Sequence, residues 1–250
     1  MNATTEIFAG EKMPYYMSPA DGMNEEYLGY ARKLVTMVFQ TLCSTQLEAI
    51  EAPAQKPWSD YENRELMREA ARFTNVAAEM VELILGDLDL DAEALRKEAE
   101  TSLESGRKLR MVTTPIISWN DGLMQRYLYA QVMLGQLPSM ISSNYIRLAN
   151  IAQKLMMDHC LTNWPQDVGT PHLASMQRAI QEGDKAELQE ALERWWPIAC
   201  DSFGRINSDN DQAYNRIGLK NRTNGTCKQL FLDTASRELT ELGLSVPAPV

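Results

Sequence analysis

The chain has 250 residues, 44% of them hydrophobic, and a formal net charge of −10, which predicts one globular domain over residues 1–250 rather than a disordered chain. Its Lys and Arg residues are scattered and form no track for a phosphate backbone, so nucleic acid is excluded as an expected partner, and no apolar run approaches the roughly 20 residues that span a bilayer. The opening MNATTEIFAGEKMPYYM lacks the basic and apolar regions of a secretory signal, and Cys43, Cys160, Cys200 and Cys227 form no Cys-x-x-Cys, so a cytoplasmic protein with free thiols is expected.

Residues 1–22 hold Pro14, Pro19, Gly10 and Gly22 without a sustained period and read as an extended arm, free to lie over a partner. A first helix follows from Asn24 to about Glu51, with Tyr27, Ala31, Leu34, Val38 and Leu42 at three- and four-residue steps and Pro53 and Pro57 as its stop. Ser59-Asp-Tyr-Glu62 is a capping box opening a second helix that ends at Leu85, with Gly86 closing it. Asp91 caps a third, charged helix to about Ser105, and Arg107–Ile117 reads as an extended connector. Ser118-Trp-Asn-Asp121 opens a fourth helix that Pro138 breaks. The stretch Asn144–Asn163 reads as the organising helix, apolar along Ile146, Ala149, Ala152, Leu155 and Met156. A loop through Pro165 and Pro171 leads to helices at His172–Gln181 and from Lys185 through Trp195-Trp196. Asn207–Asp211 reads as a loop, Gly225–Leu242 as the last helix, and residues 244–250 as an extended tail. With helix after helix and no alternating strands or Gly-rich phosphate loop, the fold class is all-α, a bundle.

In such bundles a di-iron carboxylate centre takes one Glu from each of two helices and Glu-x-x-His from each of the other two, because positions three apart grip one ion from one helical face. The chain has two histidines, His159 and His172, and the residues three before them are Met156 and Gly169. No Asp or Glu occurs from Gly122 to Met157, so the fourth helix and most of the fifth offer no oxygen donor to a hard cation. The residual candidates are Glu48 on the inward stripe of the first helix, Glu79 and Glu82 on the second, and His159. Each also has a structural reading: a partly buried acid paired with Arg or Tyr for Glu48, a solvated face for Glu79 and Glu82, and a hydrogen-bonded core histidine for His159. Met156, His159 and Cys160 offer soft donors, but Cys160 turns about 100° from His159 on a helix.

Several segments carry a resemblance. ALERWWPIACDSFG at Ala191–Gly204, LFLDTASRELTELGLSVPAP at Leu230–Pro249, ISWNDG at Ile117–Gly122, GQLP at Gly135–Pro138 and NYIRLANIAQKLMMDH at Asn144–His159 are similar, in order and spacing, to the catalytic A subunit family of the phenylacetyl-CoA epoxidase. The likeness continues more weakly through residues 24–100. It implies a ferritin-like four-helix bundle with additional C-terminal helices. It also implies a di-iron multicomponent oxygenase that acts on an aromatic or acyl-CoA-type substrate with a reductase component, and in which the A subunit pairs with a ferritin-like relative of mainly structural role. Carried across, the first-helix Glu falls at Glu48 and the fourth-helix carboxylate at or near Ala130. The first Glu-x-x-His has no equivalent, and the second survives as Met156 and His159. The expectation is a divergent subunit without its own di-iron site or other cofactor, a non-catalytic or structural partner of a homologous ferritin-like subunit that holds the di-iron centre. The alternative is an active monooxygenase with an altered or partner-completed site, in which Glu48 and His159 act as acid and base.

Overall fold

Helices form wherever apolar residues recur at three- and four-residue steps, and nine α-helices stand among the residues described by the computed structural model, 14–55, 75–76, 78–104, 110–157 and 171–248. They are α1 (Glu25–Gln55), α2 (Ala92–Glu104), α3 (Arg110–Thr113), α4 (Trp119–Ile141), α5 (Ile146–Leu155), α6 (Pro171–Glu182), α7 (Lys185–Asp201), α8 (Asp209–Arg216) and α9 (Asn224–Glu241). The second helix of the bundle is described at residues 75–76 and from 78, and it passes into a π turn at Val81–Leu85. The architecture is an all-α, ferritin-like bundle with additional C-terminal helices, as the sequence predicts, and no strand occurs among the described residues. No helix among them is long and apolar enough to cross a membrane.

The helix that the others surround is α4, not the stretch beginning at Asn144. It packs against α5, α6, α7 and α9, and Leu123, Met124, Tyr127, Leu128, Val132 and Leu137 are all buried. A helix wrapped on nearly every side has little room for charge, and after Asp121 its one charged residue is Arg126. The absence of acid along this stretch therefore follows from its central position. Five segments differ from their sequence reading, each for a physical reason.

α4 runs through Pro138 to Ile141, because Ser139 and Met140 beyond the proline are buried and their packing offsets the roughly 3 kcal/mol a helical proline costs. α1 likewise continues through Pro53 to Gln55, since a proline in a last turn forfeits little helix beyond it. The connector contains the short helix α3, fixed by Met111, which is fully buried and whose carbonyl accepts from Gln125 Nε2 at 2.8 Å. Asn207–Asp211 is the cap and first turn of α8, where Ser208 Oγ accepts from the Asp211 N–H. Its polar residues are capping chemistry, not loop.

The second helix ends differently from its reading too. Gly86 is ordinary right-handed helix at φ −59°, and the left-handed residue is Asp89 at φ 55°. Leu90 N–H donates to the Leu85 carbonyl at 2.9 Å and Asp89 N–H to that of Gly86 at 3.3 Å, the paired bonds of a Schellman stop with Asp where glycine is usual. Val76, Met80, Ile84 and Leu88 are all buried. Four-residue steps on a regular α-helix drift by about 40° each. The wider π turn takes up that drift and keeps the four on one face.

Other readings agree with the structure. Ser118 caps α4 by accepting from Asp121 N–H at 3.1 Å, Asp91 caps α2 through Ala94 N–H at 3.0 Å, and the last helix falls where it is read, at Asn224–Glu241. Of the arm, the described part lies on its own chain. Tyr16 forms an isolated bridge with Tyr145, donating to the Asn144 carbonyl at 2.8 Å and accepting from Ile146 N–H at 2.9 Å, and its ring meets that of Tyr27. Of the tail, Ser245 is tied to α7 by reciprocal bonds with Gln189 at 2.8 and 2.9 Å.

Candidate functional site

The interior bounded by α1, the second helix, α4 and α5 is where the sequence places a metal centre. Phe39 and Leu42 of α1, Val76 and Met80 of the second helix and Leu155 of α5 all belong to one contiguous buried core. Ala130, the α4 position at which a carboxylate would stand, is buried. Glu79 points to the edge of the seam, where Lys154 Nζ of α5 donates to it at 2.7 Å, with both side chains about two-fifths exposed. Glu82 is exposed in the π turn. Met156 follows α5 half-buried, and Met157 is exposed. Glu48 lies on α1 with its side chain outside the description, and His159 and Cys160 lie outside the described residues. His172 stands half-buried on α6, on another part of the chain.

Among the described residues, no group of three or more His, Cys, Asp or Glu side chains could hold an ion. A pair of hard cations needs oxygen donors converging from four helices, and the described walls present aliphatic, thioether and aromatic groups instead. These described residues do not fit a di-iron centre.

The polar groups of the interior gather elsewhere, on the side of α4 that meets α3, α7 and α9. Asp121 is 2% exposed. It accepts from Trp195 Nε1 at 2.7 Å, Arg194 Nη1 at 2.7 Å and Ile117 N–H at 2.9 Å. Asn120 Nδ2 donates to Glu187 at 2.7 Å and Asp184 at 3.2 Å. One helical turn and more along, the Tyr127 hydroxyl and Gln131 Nε2 both donate to Glu238 Oε2 of α9, at 2.9 and 2.8 Å. Burial raises the Glu238 carboxyl above its ordinary value, opposed by the Tyr127 bond and the Arg237 charge. The Tyr127 hydroxyl is itself held far above its ordinary value by burial and then by the Glu238 charge. Sequence reading missed Glu238. The signal available was an acid three residues after the buried Ala235 and one before the buried Leu239 on α9, which sets it on the margin of the inward stripe.

These groups are satisfied by one another, as buried polar side chains in a structural role are. Among the described residues, two buried side-chain polar atoms have no hydrogen-bond partner: Tyr145 Oη and Trp196 Nε1. Burial raises the Tyr145 hydroxyl to about 12. Burial holds the Cys43 thiol at about 11 and also raises that of Cys227, which suppresses the reactive thiolate at both. Lys220 is 5% exposed and donates to Asn224 Oδ1 at 3.0 Å, with its pKa lowered by burial. Beside it the Asp211 carboxylate accepts from Asn224 N–H at 2.9 Å, pinning the start of α9 to α8.

The sequence pattern of the family described as phenylacetic acid catabolic protein matches residues 78–250. The matched region begins on the second helix and takes in α2 to α9. It leaves out α1 and Glu48, where the resemblance read from the sequence is weakest. No curated protein matches the chain.

Proposed function

The chain belongs to the phenylacetic acid catabolic protein family, and from that premise we propose that it is a non-catalytic, structural subunit of a multicomponent oxygenase complex. Its partner on this reading is a homologous ferritin-like subunit that holds the di-iron centre, served by a reductase component in the cytoplasm. The observation that carries the proposal is the residue chemistry of the interior: Val76, Met80, Ala130 and Leu155, on the second helix, α4 and α5, are buried apolar residues, where a di-iron bundle draws oxygen donors from its helices. An aromatic or acyl-CoA-type substrate is taken over from the resemblance, and it would be processed at the partner's centre.

The test is co-purification with a homologous subunit that carries two intact Glu-x-x-His motifs, followed by metal analysis of each chain. The expected result is a stoichiometric complex in which iron partitions to the partner. Two irons per chain held by this polypeptide alone would overturn the proposal. Glu48→Ala and His159→Ala then separate the alternative, in which these two act as acid and base in an altered or partner-completed site. On the structural reading, both variants leave turnover of the complex within about twofold of wild type, because neither residue touches the reacting atoms. A hundredfold loss with the complex intact would restore a catalytic role.

A further inference from the structure

The second helix and α5 are two of the four helices that a di-iron bundle would tie together through metal ligands. Here two clamps cross the same seam. Lys154 Nζ donates to Glu79 at 2.7 Å near one end. At the other end, Arg147 Nη1 donates to the Leu83 carbonyl at 2.8 Å and pairs with the Asp87 carboxylate. Between them Met80 and Ile84 on one helix and Leu148, Ile151 and Leu155 on the other are all buried in the common core.

The spacing of the clamps shows how the seam is registered. Arg147 and Lys154 are seven residues apart, two turns of α5, whereas their partners Glu79 and Asp87 are eight apart on the antiparallel neighbour. The π turn at Val81–Leu85 lies between the two acids and accommodates the one extra residue. Arg147 is the pivotal group, because a planar guanidinium can serve a carbonyl and a carboxylate together, whereas an ammonium acts as a point charge.

We infer that this double clamp, registered by the π turn, closes the seam in place of metal ligation, so that the bundle is complete with no ion bound. The inference rests on the metal-free reading above and extends it: an acid that could have been a ligand, Glu79, is committed to a lysine at the edge of the seam.

Hydrogen exchange of the full chain, followed by mass spectrometry, tests it. Amides of residues 78–88 and 146–155 are compared in chelator and in excess Fe(II) under anaerobic conditions. Equal protection in both is expected for the wild type. Arg147→Ala is expected to raise exchange across both segments by about fivefold, and Lys154→Ala by less, in keeping with exposed pairs. Arg147→Lys is expected to fall between wild type and Arg147→Ala. Protection that drops in chelator or rises with Fe(II) would overturn the inference, as would Arg147→Ala exchanging like wild type. Because the readout uses the isolated chain, failure to bind a partner would sink the functional proposal and leave this result standing.

Discussion

The two sides of α4 differ in kind. Toward α3, α7 and α9 it presents Asn120, Asp121, Gln125, Tyr127, Gln131 and Gln136, each bonded to a named partner on those elements or at their ends. Across the bundle, the seam of the second helix and α5 is an apolar strip with its charges at the margins. A buried acid was thus kept where it joins helices, and none stands on the described walls that would bind an ion. The difference teaches that buried carboxylate chemistry is tolerated in this fold when Arg, Trp and Tyr donors answer it.

Removing the hub would break that contrast most severely. Asp121→Ala strands the Trp195 and Ile117 N–H groups and the Arg194 charge, and chemical denaturation should register a loss of about 3 kcal/mol or more. Gly135→Ala should follow. A Cβ there would meet the Cys227 carbonyl and the Phe203 ring, both at 3.0 Å, so a loss of about 1–3 kcal/mol is expected from the forced separation of α4 and α9. A melting curve on this variant distinguishes a backbone approach from ordinary packing, since the obstructing atom is main chain.

Glu238 sharpens the comparison through pH. Its folded pKa is raised by burial, so its contribution is fully present below the unfolded carboxylate value and is lost as pH rises through the folded one. Glu238→Gln keeps an acceptor for Tyr127 and removes the charge. Relative to wild type it should therefore gain stability as pH rises from about 4 to 7. A flat difference across that range would mean that the carboxylate is fully solvated.

The smallest effects lie beside the seam. Gly86 is exposed, right-handed helix with nothing within 4 Å of an added Cβ, so Gly86→Ala should stabilise by about 0.5–1 kcal/mol. Asp89→Gly relieves a left-handed aspartate and should gain a similar amount. Both are read by thermal melts.

Periodicity and caps made most of the fold legible. Ser118 and Asp91 foretold the starts of α4 and α2, and the helices read from Lys185 through Trp196 and over Gly225–Leu242 are α7 and α9, because capping chemistry and helical patterning are local. Pro138 and Pro53 misled, since burial beyond a proline is a tertiary fact that its neighbours do not announce. Gly86 misled for a related reason: a left-handed position is defined by bonds that reach back from Leu90, and Asp89 satisfies them. At the site, the lack of acid between Gly122 and Met157 was plain in the sequence, whereas the commitment of Glu79 to Lys154 was not, because a charge on a helix does not declare its partner on another.

The extra residue in the π turn bears on any effort to rebuild a metal centre in this scaffold. A designer who counts back from Leu88 by ordinary helical spacing would install new ligands about 100° away from the intended direction, aimed at solvent or at a neighbouring helix. Grafting would have to begin by deleting one residue among Val81–Leu85, and that deletion would pull Glu79 and Asp87 out of step with Lys154 and Arg147.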